Sequence, residues 1–135
     1  MRLTSRSEYG LLALIYLARH DADGYISVET IALEQGIPHK FLEQILLALK
    51  RAKYVRSTKG QRGGYHLAKP ADKISVAEII RLFDGALAPT ESVSINFYEP
   101  TPIEKEPSLI NLFREIRDYV SDKLETTTLA DVSKQ

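Results

Sequence analysis

"VETIALEQGIPHKFLEQILL", residues 28–47, holds a short amphipathic segment, a glycine and a longer amphipathic segment. Ser27, just before it, suits a helix N-cap. Gly36 falls where the first helix must stop in a left-handed conformation. Pro38 fits the first turn of the next helix, which is expected to run to about Lys53. Two helices crossing near a right angle leave little room at their contact, so small and apolar residues are required at fixed offsets. Ile31 supplies the buried apolar position, Ala32 the small contact, Gly36 the turn and Ile37 the corner plug. Leu42 and Ile45 then anchor the second helix on the first. The pattern is that of a helix-turn-helix.

If Leu42, Ile45, Leu46 and Leu49 face inward, then His39, Lys40, Glu43, Gln44 and Lys50 face outward. The first four lie near the helix N-terminus, the end that meets base edges in the major groove. A glutamine can pair with adenine through two hydrogen bonds, and a carboxylate can accept from cytosine N4. Gln44 and Glu43 are therefore candidate base readers, with Lys40 and His39 beside them. An acid facing a phosphate would be repelled, so Glu43 makes sense there only against a base.

The next decisive stretch is "TKGQRGGYHL", residues 58–67, with three of the chain's seven glycines, two Lys/Arg and no acid. It joins two β-prone runs, Tyr54–Thr58 and Gly64–Ala68, and reads as a hairpin. The loop lacks the spacing and terminal Lys-Ser/Thr of a nucleotide cradle, and it does not open a helix. A hairpin directly after a recognition helix is a wing, which lies on the DNA backbone or enters a groove. Lys59 and Arg62 become its candidate contacts.

Charge supports a nucleic-acid partner, although the net charge is zero. Residues 1–70 carry eleven Lys/Arg against six Asp/Glu, and residues 71–135 carry seven against twelve. No acid occurs between Glu43 and Asp72. Arg2, Arg6, Lys50 and Arg51 join Lys59 and Arg62 as expected backbone or groove contacts.

The remaining chain reads as follows. Ser5-x-x-Glu8 suggests a capping box opening a largely buried helix to about His20. Ser75-x-x-Glu78 suggests a second box, opening a helix to about Phe83. Residues 88–107 hold four of the six prolines without helical period, and are expected to form a long loop for an effector or partner. Phe97 and Tyr98 are its candidate contact residues. Pro107 and Ser108 open a last long helix. Leu109, Leu112, Phe113, Ile116, Val120 and Leu124 recur along it at three- and four-residue steps. Thr128-x-x-Asp131 can cap one final turn. The expected architecture is mainly α with a small β-hairpin: a winged helix-turn-helix at 1–86, the loop at 87–107, and a dimerisation helix with a terminal turn at 108–135.

Other chemistries find little support. The chain has no cysteine, so it offers no thiolate nucleophile, disulfide or cysteine-ligated cluster. His20, His39 and His66 are scattered at no metal-ligand spacing, so no metal site and no cofactor are expected. No carboxylate pair is brought together by the helix phases, and an enzyme is not expected. No apolar run is long enough for a membrane span, and the polar start lacks a signal-peptide pattern, so a cytoplasmic location is expected.

The chain resembles the winged-helix regulators that include the iron–sulfur cluster regulator, the nitric-oxide-sensing repressor and the cysteine metabolism repressor. The resemblance rests on "MRLTSRSEYGLLAL" at 1–14, "IPHKFLEQILLALKRAKYV" at 37–55, "TKGQRGGYHLAKP" at 58–70, "ISVAEIIRLFDG" at 74–85 and "TTLADV" at 127–132. It implies a homodimer held by the last long helix, whose apolar stripe a domain this small could hardly bury alone. It implies DNA contacts for Glu43, Gln44, Lys59 and Arg62. Phe41 stands where the family usually has tyrosine. The cluster-binding members carry three cysteines in the loop where this chain has none, so the resemblance is better to the cluster-free cysteine repressors, whose signal comes through a partner enzyme. The expected function is a dimeric repressor on a palindromic operator, responding to a protein or small-molecule effector, with sulfur or cysteine metabolism as the process it is expected to control. The alternative is a protein-interaction module that binds a metabolic enzyme, with weak or no DNA binding of its own.

Overall fold

The computed structural model describes residues 1–134. Helices α1 (Ser5–Arg19), α2 (Val28–Gln35) and α3 (His39–Arg51) come first. Strands β1 (Val55–Thr58) and β2 (Gly64–Leu67) follow, then α4 (Val76–Asp84), the long α5 (Pro107–Thr126) and the single-turn α6 (Leu129–Val132). The fold is mainly helical with one two-stranded antiparallel hairpin, as expected.

The core forms around α1, whose Ala13, Leu14 and Leu17 are buried. Ile31 and Ile37 from α2 and its turn pack there, with Leu42, Ile45, Leu46 and Leu49 from α3. Gly10 is required by close packing: a Cβ there would lie 2.7 Å from the Phe83 ring of α4. Leu129 of α6 is fully buried in the same core. The chain end is thus stitched back: Val76 N–H donates to the Thr127 carbonyl at 2.8 Å, and Leu129 N–H to the Ile74 carbonyl at 2.9 Å. The C-terminal turn was expected to run to residue 135, and Gln135 lies outside the described residues.

The helix-turn-helix forms as read. Ser27 Oγ accepts from Thr30 N–H at 3.2 Å, and Gly36 takes the left-handed conformation at φ 65°. The next helix starts one residue later than its proline suggested, with Pro38 as N-cap. It ends at Arg51, short of Lys53, because Lys53 itself turns left-handed at φ 68° and sends the chain into β1.

One local expectation fails for a physical reason. Ser5 does not cap α1. Thr4 is the N-cap, and its amide and hydroxyl are spent on Asp84, at the end of α4. The box at Ser75 and Glu78 does form, with both reciprocal hydrogen bonds. The segment between α4 and α5 forms no α-helix or strand, as expected, but it is tied down. It contains short 3₁₀ turns at Glu91–Val93 and Pro102–Lys105. Ala88 and Val93 form a small second core with Ile110 of α5, and Ile103 and Phe113 pack against it.

Candidate nucleic-acid interface

Burial of one face of α3 exposes the other. His39, Lys40, Glu43, Gln44, Leu47, Lys50 and Arg51 are all exposed. At 100° per residue, the buried Leu42, Ile45, Leu46 and Leu49 occupy one arc, and Leu47 sits near the middle of the opposite one. Leu47 is 41% exposed, flanked by Glu43 one turn before it and by Gln44. Sequence reading assigned no role to this residue. The signal in the sequence is weak, since a single exposed leucine is ordinary on a protein surface; its place among the candidate base readers is what singles it out.

Glu43 is held in place. His39 Nδ1 lies 2.8 Å from its carboxylate, and His39 Nε2 lies 3.4 Å from Glu29 of α2. The imidazole thus bridges two carboxylates on the two helices of the motif. A backbone hydrogen bond to the Glu29 carboxylate, followed by its hydrogen bond with His39, lowers Glu29 from its ordinary value against the opposing effect of desolvation. Tyr65 of β2 closes the same shallow depression, lined also by Val28, Glu29, His39, Glu43, Gln44 and Leu47. Burial and the nearby Glu43 raise the Tyr65 phenol. Recognition helix and wing therefore form one continuous surface.

The wing is anchored by its base. Val55 pairs with Leu67 and Thr58 with Gly64. Ile26 adds a bridge to β2: its N–H donates to the Tyr65 carbonyl at 2.9 Å and its carbonyl accepts from Tyr65 N–H at 2.8 Å. A Cβ on Gly64 would lie 2.1 Å from that Ile26 carbonyl oxygen, so only glycine lets the hairpin dock there. Lys59, Gln61 and Arg62 are left exposed at the tip.

Other expected contacts fall elsewhere. Arg2 and Arg6 flank the end of α4: Arg6 lies over the Phe83 ring at 5.3 Å, and Arg2 shares a depression with Asp84, Ala86 and residues 88–91. Lys50 and Arg51 close the last turn of α3, where cations also favour the helix dipole. Phe97 and Tyr98 diverge. The Phe97 ring covers Gly85, while the Tyr98 hydroxyl donates to Glu104 at 2.5 Å.

The apolar stripe of α5 splits in two. Leu109, Leu112 and Ile116 are exposed, and Val120 is half-buried. Phe113 packs on the second core of its own chain, and Leu124 on the cluster formed by Val76, Ala77, Ile80 and Leu87 of the α4 region. Tyr119, which sequence reading left out, is 74% exposed on the same side as Leu112 and Ile116.

Comparison with known proteins gives a consistent result. The model of the Rrf2 family, described as "Iron-dependent Transcriptional regulator", matches residues 3–135. The chain is 32% identical over 133 residues to the helix-turn-helix transcriptional regulator CymR of Bacillus subtilis, covering 98% of this chain and 90% of that one. It is 35% identical over 136 residues to a putative helix-turn-helix regulator of Mycobacterium tuberculosis, covering 98% and 81%. Among solved structures, B. subtilis CymR, described as the global cysteine regulator, superposes with a TM-score of 0.85 over 98% of this chain and 96% of that one. The CymR of Staphylococcus aureus is 35% identical and gives 0.78, covering 98% of each chain. The residues present do not fit an iron site. The chain has no cysteine, and among the described residues no three His, Asp or Glu gather as metal ligands.

Proposed function

Since the chain belongs to the Rrf2 family of helix-turn-helix transcriptional regulators, and so is a DNA-binding regulator and not an enzyme, we propose that it works as a homodimeric repressor on a palindromic operator. The observation that carries this reading is the continuous surface of α3 and wing, with Glu43 positioned by His39 at its centre. Glu43 and Gln44 read base edges, with Lys40 and His39 beside them. Leu47 meets a thymine methyl. Lys59 and Arg62 hold phosphates or a groove edge from the wing tip, and Lys50 and Arg51 do so from the last turn of α3. Arg2, just before α1, and Arg6, in its first turn, touch backbone.

Leu109, Leu112, Ile116 and Tyr119 supply the dimer seam, at the three- and four-residue spacing that pairs helices. Two-fold symmetry then places two recognition helices on half-sites about one duplex turn apart or more. A dimer seated across such a site blocks access to it, which supports repression. The segment 87–107 receives the signal. Similarity to CymR, described as a global cysteine regulator, supports sulfur or cysteine metabolism as the controlled process.

Selection from random duplexes, followed by gel shifts at several stated salt concentrations, tests the reading. The expected result is an imperfect palindrome bound as a dimer. A chain that shifts no genomic fragment at any salt would instead be an interaction module.

A further inference from the structure

A cleft of about 130 Å³ opens where α4, the 86–106 segment and α5 meet. It is well below the roughly 300–1,000 Å³ of sites for drug-sized ligands, so an occupant is metabolite-sized. Two arginines from different helices line it, Arg81 from α4 and Arg117 from α5. Arg81 pairs with Glu125, linking α4 to α5. Arg117 donates to the Val93 carbonyl at 3.0 Å and makes a fork onto Asp118 Oδ1 at 2.7 and 2.9 Å. The arginines are the less exposed partners. Arg81 and Arg117 are 28% and 20% exposed, against 39% for Glu125 and 59% for Asp118. Each arginine is already paired, but with a carboxylate that stands nearer the solvent than the arginine does, where a competing anion can reach it.

We propose that this cleft binds a small organic carboxylate. A carboxylate matches the planar fork of arginine and can take the place of Glu125 on Arg81. Ser94, Asn96 and Ser121 line the remaining wall and suit a ligand with a second polar group. Phe97 forms the apolar rim. The assignment rests on the reading of 87–107 as the signal-receiving segment, and gives that segment a ligand class. It also gives the signal a route. Exchange of Glu125 for the ligand breaks the ion pair between α4 and α5, and α4 ends at the Asp84 that holds Thr4, the N-cap of α1.

Isothermal titration of the full chain with succinate, L-glutamate and sulfate, at matched ionic strength, tests the site. At least one carboxylate should saturate with a Kd below about 5 mM, with sulfate at least about tenfold weaker. Arg81→Gln and, separately, Ser121→Phe should each weaken that carboxylate at least about tenfold. Arg81→Gln carries the test alone if the cleft-filling variant does not fold. The site is overturned if neither carboxylate saturates, if sulfate binds as well, or if Arg81→Gln binds like the unaltered chain. Gel shifts on the same preparations separate the two readings. Carboxylate binding without operator binding retires the repressor and leaves the cleft. Operator binding without carboxylate binding does the reverse.

Discussion

Thr4 and Asp84, eighty residues apart, are joined by two hydrogen bonds. The Thr4 amide donates to Asp84 Oδ2 at 3.0 Å, and its hydroxyl donates to Oδ1 at 2.5 Å. The first turn of α1 is thereby tied to the end of α4. Burial alone would raise the Asp84 carboxyl. The Thr4 hydrogen bonds and the nearby Arg6 outweigh it and hold the group below its ordinary value of 3.8. A depressed native value means the stabilisation is complete above the ordinary value and is lost as pH falls through it toward the native one. Asp84→Asn should therefore lower stability by about 1 kcal/mol at neutral pH. Thermal melts of the two proteins should converge between about pH 5 and pH 2. A gap that stays constant with pH would assign the effect to packing.

Glu43 is an acid on a surface proposed to meet a polyanion, and His39 holds it there at 2.8 Å. A phosphate contact is electrostatically excluded for it, which leaves a base edge. Glu43→Ala should relax preference at one position of each half-site, by about 1–3 kcal/mol of discrimination, while total affinity changes less. Selection from random DNA reads this directly. An unchanged preferred site would remove Glu43 from base reading.

Lys59 at the wing tip makes the opposite prediction. Lys59→Ala should weaken binding to all duplexes alike and reduce the slope of log affinity against log salt by about 1. A change confined to one base position would mean that the tip reads sequence.

The motif was legible in the sequence because it is local. Gly36, Ser27 and the box at Ser75 and Glu78 each act within four residues. Ser5-x-x-Glu8 has the same form but gives way to a tertiary contact, since Asp84 draws the chain start to Thr4. The packing of the proline-rich segment was not legible for a related reason. Val93 and Ala88 carry no period, yet Ile110 and Phe113 offer them a surface. Periodicity also cannot tell which part of an apolar stripe faces its own chain. Leu124 and Leu112 look alike in the sequence, and only the position of α4 separates them. The charge asymmetry did mark the wing and the end of α3, where Lys59, Arg62, Lys50 and Arg51 remain exposed.

Leu112 is 49% exposed and Tyr119 74%, on a helix whose other side is already packed. If they form the dimer seam, Leu112→Asp places two like charges near the two-fold axis. Light scattering should show a monomer with unchanged helix content, and operator affinity should fall by at least about tenfold, because one half-site is lost. A variant that remains dimeric would move the seam elsewhere.

Leu47 gives the most specific prediction, because the DNA can be altered as well as the protein. Its side chain lies at the centre of the exposed arc of α3, between two candidate base readers. The apolar group in the major groove is the thymine methyl. Replacing one thymine of each half-site by uracil removes only that methyl. At the contacted position this should weaken binding by about 0.8 kcal/mol per half-site, the value of one buried carbon. Leu47→Ala should weaken binding to the thymine operator and abolish the thymine–uracil difference at that position. The coupling between the two changes, measured as a double-mutant cycle, isolates the contact from any general effect of either. Equal uracil penalties in both proteins would show that Leu47 meets no methyl.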